Sequence, residues 1–162
     1  NLHPDMLPAL GKVAEELGLP FEAEPLELMT EADVIITITS SPAFSLAVEQ
    51  VAPGTHLACM GTDTIGKQEV EPALFTRARV FTDEVAQAIS LGEAQHAVAA
   101  GLIRAKQITP LGAVITGKAE GRQSAEQITL FDGTGVGLQD IAVAAKVLDL
   151  ARERGMAISV EL

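Results

Sequence analysis

The sequence predicts an α/β protein whose strands run parallel in one sheet, and three stretches carry that prediction. Ala32-Asp33-Val34-Ile35-Ile36-Thr37-Ile38-Thr39 is β-branched and apolar without alternation, the pattern of a strand buried on both faces of a parallel sheet. From Thr55 to about Leu91, strand-like runs alternate with helix-like ones. The apolar run Thr55-His56-Leu57-Ala58-Cys59 ends in a polar, glycine-bounded loop, Met60-Gly61-Thr62-Asp63-Thr64-Ile65-Gly66-Lys67-Gln68-Glu69. In parallel α/β sheets the ligand crevice lies outside the carboxyl ends of the strands, so Asp63 at such an exit is the leading functional candidate. Gly61 and Gly66 let the backbone turn and let a ligand come close, and Lys67 brings a cation to the same loop. Spacing alone favours a loop whose Asp and Lys are simply solvated.

The other elements follow in order. Met6, Leu7, Leu10, Val13, Ala14 and Leu17 share one helical face, so a helix capped by Asp5 is expected to run to Leu17, with Pro8 in its first turn and Gly18 ending it. Phe21-Glu22-Ala23-Glu24 is a short strand candidate, and a helical turn through Leu26–Met29 leads into the strand 32–39. The exit Thr39-Ser40-Ser41-Pro42 offers hydroxyls and backbone donors at the sheet's carboxyl edge, although any such loop needs turn residues. A helical turn is expected within Ser45–Val51, a break at Pro53-Gly54 and a short helix at Pro72–Phe75. Arg79–Thr82 reads as a strand, Asp83–Leu91 as a helix, and Glu93–Gly121 as short helices and loops. Ile128–Asp132 is the last buried strand. Gly133-Thr134-Gly135-Val136-Gly137 then opens a helix to about Arg154, its third glycine one residue too early for a dinucleotide fingerprint. That helix is apolar on most sides and is expected to be buried between two layers or domains, before a terminal strand at Ala157–Glu161.

Composition narrows the classes of function. A chain of 162 residues with 48% hydrophobic and 20% charged content suits one ordinary globular domain. Its net charge of −11 repels nucleic acid and anionic membranes, and with no Trp or Tyr and five Phe it lacks a platform for stacking bases. No apolar run approaches the roughly 20 residues that a membrane span requires. A single cysteine, Cys59, cannot form an internal disulfide, in keeping with a cytoplasmic setting, and reads as a small buried hydrophobe. Asn1-Leu2-His3-Pro4-Asp5 reads as a strand-to-helix turn whose strand is missing, so an upstream segment of the same polypeptide is expected.

Together with Pro53-Gly54-Thr55-His56, Gly92-Glu93, Gly121-Arg122 and Thr129 through Gly135 to Gln139-Asp140, the stretches 32–39 and 61–69 resemble the ornithine cyclodeaminase and mu-crystallin family over nearly the whole chain. The resemblance implies a Rossmann-type doubly wound sheet lacking its first strand and glycine loop, corresponding to the carboxyl-terminal portion of a family member. Residues 1–127 would form a partial NAD(P)-binding domain. Residues 128–162 would return to an absent substrate and dimerisation domain, within a homodimer of the full-length enzyme.

The resemblance further implies that Asp63 is the catalytic carboxylate, beside the nicotinamide and the substrate's amino or imino nitrogen. It places cofactor contacts at Asn1, Thr39, Met60, Gly61, Thr62, Lys67 and Gly133, and a substrate contact at Thr134, and assigns no metal ligand. Gly133 stands where the family usually has a serine, so a contact there would come from backbone. Asn1 stands where NAD-using members often carry an acid, which leaves both NAD and NADP open. The implied activity is NAD(P)-dependent reduction of a small imino acid, or reductive amination of a 2-oxo acid. A cyclodeaminase-type lyase and a crystallin-like binding protein are the alternatives.

Overall fold

The computed structural model describes residues 4–158 and residue 160. Five strands form one sheet, β1 (Val34–Thr37), β2 (His56–Cys59), β3 (Arg79–Thr82), β4 (Ile108–Pro110) and β5 (Thr129–Asp132), in the order β1-β2-β5-β3-β4. All pairs are parallel. The helices are α1 (Leu7–Glu16), α2 (Leu74–Arg77), α3 (Val85–Ser90), α4 (Ala94–Ala99), α5 (Leu111–Ile115) and α6 (Gly137–Glu153).

Register explains both the core and the site. Ile35, Leu57, Leu130, Val80 and Ile108 are cross-strand partners in one row, and every one is buried. Burying such a side chain contributes roughly 1.5–3 kcal/mol, so this row anchors the sheet. Two residues further along each strand, on the same face, the row becomes Thr37, Cys59, Asp132 and Thr82. The apolar core thus gives way to mostly polar groups in the last residue of these strands.

Several expectations are corrected. β1 is buried on one face, not two: Ile35 is 2% exposed, whereas Ile36 is 67% exposed. The strand is the sheet's edge, and no described element covers its second face, so burial alternates although the sequence does not. Phe21–Glu24 is not a strand, because no described strand lies alongside to accept its hydrogen bonds. β4 falls in the stretch read as helices and loops. It is short and ends at Pro110, which an edge strand tolerates because its outer N–H groups have no partner to serve. Asp5 does not cap α1, whose boundary residue is Met6, without a side-chain cap.

The last segment begins in the sheet and leaves it. β5 lies between β2 and β3, so the part of 128–162 that leaves the sheet starts at Gly133. α6 spans the expected residues but buries none of them, and Leu138, Ile141, Val143 and Val147 stand exposed. Ala157, Ile158 and Val160 have no strand structure, and Ser159 and Glu161 lie outside the described residues. No described helix is long and apolar enough to cross a membrane.

Candidate active site

The loops after β1, β2, β3 and β5 leave the same edge of the parallel sheet, and acidic side chains tie them together. Glu69, fully buried, accepts hydrogen bonds from Thr37 Oγ1 at 2.8 Å, Thr39 N at 2.5 Å and Gly61 N at 2.9 Å. Glu93 accepts from the Thr62 hydroxyl, from Glu69 N at 2.9 Å and from Val70 N at 2.9 Å. Asp132, at the end of β5, accepts from Glu93 N at 3.0 Å and Ala94 N at 2.9 Å where α4 begins. Asp83, just beyond β3, accepts from the Thr134 hydroxyl at 2.7 Å and from Gly135 N at 2.9 Å. Each exit is therefore fixed by a carboxylate on backbone N–H or hydroxyl donors, and none of these four acids has an ion-pair partner among the described residues.

Asp63 differs from these acids. Its side chain is 61% exposed, and its Oδ1 receives Lys67 Nζ at 2.6 Å and Thr64 Oγ1 at 3.0 Å. The hydrogen bond from Lys67, followed by that from Thr64, holds its carboxyl below the usual aspartate value. The loop carrying it is anchored on α4, where Gly66 N donates to Gln95 Oε1 at 2.9 Å and His96 Nε2 meets Lys67 O at 2.8 Å. Its return, Gln68 N to Ser41 O at 2.9 Å, ties it to the β1 exit.

The exits of β1, β2 and β5 bring the other candidates together. Thr39 and Gly61 are packed so closely that a Cβ on Gly61 would lie 2.2 Å from Thr39 O. Gly133 lies against the end of the Met60 side chain, where a Cβ would meet Sδ at 2.6 Å, so a serine there would require the flexible Met60 side chain to move aside. The Gly133 N–H donates to Cys59 O at 2.9 Å, leaving its carbonyl as the free backbone group. The Thr62 and Thr134 side chains turn inward to Glu93 and Asp83, and Thr134 N donates to Asp83 as well. Asn1 lies outside the described residues.

A groove of about 720 Å³ runs along the β1 exit, lined by Ile36, Thr37, Ile38, Thr39, Ser41 and Phe44 among others. A smaller cavity of about 230 Å³, bordered by His56, Phe81 and Arg122, sits at the opposite end of the strands, away from these exits.

Glu69, Glu93, Asp83 and Asp132 carried no functional assignment from sequence. In a chain with 22 acids they resemble solvated ones, and the one local signal is an acid closing the apolar run Thr129-Leu130-Phe131-Asp132. Burial raises the Asp132 carboxyl to about 7, against the hydrogen bonds from Glu93 N and Ala94 N, and burial likewise raises Glu93. Asp83 moves the other way: burial pushes it up, but the hydrogen bonds from Thr134, Glu84 and Gly135 outweigh that.

The signs set a stability window. A carboxyl raised in the folded state contributes stability that is complete below its ordinary value and is lost as pH climbs through the folded one. For Asp132 that loss runs from 3.8 to about 7, whereas Asp63 and Asp83 titrate below 3.8. Thermal unfolding of the intact protein should therefore show a melting temperature that falls between pH 3.8 and about 7, and Asp132→Asn should flatten that slope. An unchanged slope in the variant would show that Asp132 does not titrate there.

The chain is 60% identical, over its full length and 51% of the relative, to the iminosuccinate reductase of Paracoccus denitrificans. The crystal structure of that reductase in complex with NAD+ superimposes with a TM-score of 0.93, covering 99% of this chain and 50% of that one. The alanine dehydrogenase of Archaeoglobus fulgidus is 36% identical over 88% of this chain and 44% of its own. The chain thus spans about half the length of these curated relatives. The sequence model of the ornithine cyclodeaminase/mu-crystallin family matches residues 12–155, and the chain belongs to that family.

Proposed function

We propose that this chain forms the carboxyl-terminal portion of an NAD-dependent oxidoreductase that reduces a small imino acid to an L-amino acid. The observation that carries this reading is the division among the site's carboxylates. Glu69, Glu93 and Asp132 are buried and committed to backbone donors, whereas Asp63 is exposed on the β2 exit, ionised and paired with Lys67. The names of the relatives, an iminosuccinate reductase and an alanine dehydrogenase, support the substrate class.

The residues present suit a dinucleotide. The structural acids face inward, which keeps their charge off the phosphates, and the β1 exit offers an apolar and hydroxyl-lined groove. Thr39, Met60, Gly61 and the Gly133 carbonyl would hold the cofactor, which when bound supplies hydride to the imine carbon. Lys67 would contribute a cation on the same loop. Asp63 would accept a hydrogen bond from the protonated imine nitrogen, orienting the carbon and stabilising the positive charge that makes it electrophilic, and would then hold the proton of the product amine. Lys67 keeps the carboxyl ionised until that nitrogen arrives. Thr134 would line the substrate through its backbone carbonyl. Polypeptide upstream of Asn1 would supply the phosphate loop and the cations for the substrate carboxylate, in a cytoplasmic homodimer.

The test is an assay of the intact protein with small imino acids, or 2-oxo acids plus ammonia, and NADH and NADPH side by side. Loss of the reduced-nicotinamide absorbance with formation of an amino acid is the expected result. Ammonia release from ornithine without net cofactor change would replace this reading by a lyase. Tight cofactor binding with no turnover of any of these would replace it by a binding protein.

A further inference from the structure

Glu69 has no role in the chemistry above, yet it occupies the junction on which the cofactor residues depend. Its Oε1 receives Thr39 N and its Oε2 receives both Thr37 Oγ1 and Gly61 N, so one side chain joins the exits of β1 and β2. These two exits touch backbone to backbone, with no space for a side chain at Gly61. The carboxylate is itself rigidly held. Ser45 N and Leu46 N donate to Glu69 O, Glu69 N donates to Glu93, and Leu46 and Val70 form a parallel bridge. No cation balances it among the described residues; three converging donors do.

We propose that Glu69 is a positioning residue that fixes the separation of Thr39 from Gly61, and with it the fit of the cofactor between the β1 and β2 exits. The inference rests on the functional reading above. Its chemical content is that an acid is required here. Three donors point at the two oxygens, and the isosteric amide of Gln would turn an NH2 group against one of them, forcing the loops apart.

The experiment measures NADH binding and steady-state kinetics on the intact protein carrying Glu69→Gln, with Leu74→Ala as a control. Leu74 is fully buried in α2 and belongs to the core, so its truncation lowers stability without touching the exits. Glu69→Gln should raise the dissociation constant and KM for NADH by roughly tenfold or more, while kcat at saturating cofactor stays within about twofold because Asp63 is undisturbed. Leu74→Ala should lower the melting temperature at least as much and leave the NADH constants unchanged. Unaltered NADH binding in Glu69→Gln, or an equal loss in Leu74→Ala, would overturn the inference while leaving the functional reading intact. Failure of the unmutated protein to bind NADH or NADPH would overturn both. If Glu69→Gln does not fold, Thr37→Val decides: removing one donor should weaken NADH binding by about threefold, and no change refutes the proposal.

Discussion

Replacing Asp63 by Asn should lower turnover by roughly 10² to 10⁴, the contribution of a positioned acid–base group, while cofactor affinity stays nearly intact. The change removes a charge and almost no volume. Asp63 is exposed and its partners Lys67 and Thr64 are on the same loop, so the fold does not depend on it. The loop is held independently through Gln95, His96 and the Gln68–Ser41 hydrogen bond. An amide offers no full negative charge to stabilise the cationic imine on which hydride transfer depends. Single-turnover measurements with saturating NADH separate the effects: the hydride-transfer rate should collapse and NADH titration should not move. Unchanged turnover would remove Asp63 from the mechanism.

Gly61→Ala should be the most damaging substitution of a single atom at the site. The added Cβ would stand 2.2 Å from Thr39 O, 2.4 Å from Thr39 N and 2.5 Å from Glu69 Oε1. Backbone on one side and a trapped carboxylate on the other leave nothing flexible to move aside. Relief requires the β1 and β2 exits to separate, with loss of the hydrogen bonds from Thr39 N and Gly61 N to Glu69. We expect a stability loss of about 3 kcal/mol or more, the upper range for overpacking, accompanied by loss of cofactor binding. Gly66→Ala is the informative comparison. Gly66 has φ +88° but open space around it, so its cost is conformational, roughly 1–2 kcal/mol, without displacement of Thr39. Thermal unfolding with NADH titration on both variants checks the pair. Near-normal binding in Gly61→Ala would show that the exits separate without consequence.

What the sequence determined by itself is what short range physics encodes. β-branched apolar runs and glycine-bounded exits placed β1, β2, β3 and β5 to within a residue or two, and the same pattern put Asp63 at a strand's carboxyl end. Local chemistry marked Cys59 as buried. The tertiary structure decided the rest, because it depends on groups far apart in the chain. Nothing in the sequence order places β5 between β2 and β3, or leaves one face of β1 and the apolar sides of α6 uncovered. Thr62 and Thr134 look like ligand-facing hydroxyls until Glu93, 31 residues from Thr62, and Asp83, 51 residues from Thr134, take them inward. Glu69 meets Thr39 across 30 residues, and Asp132 meets Glu93 across 39. A carboxylate that binds backbone donors needs no particular neighbour type, so it leaves no pattern in the sequence. Only the folded sheet, by bringing its strand exits to one edge, separates the buried acids that tie the exits together from Asp63, which stays exposed.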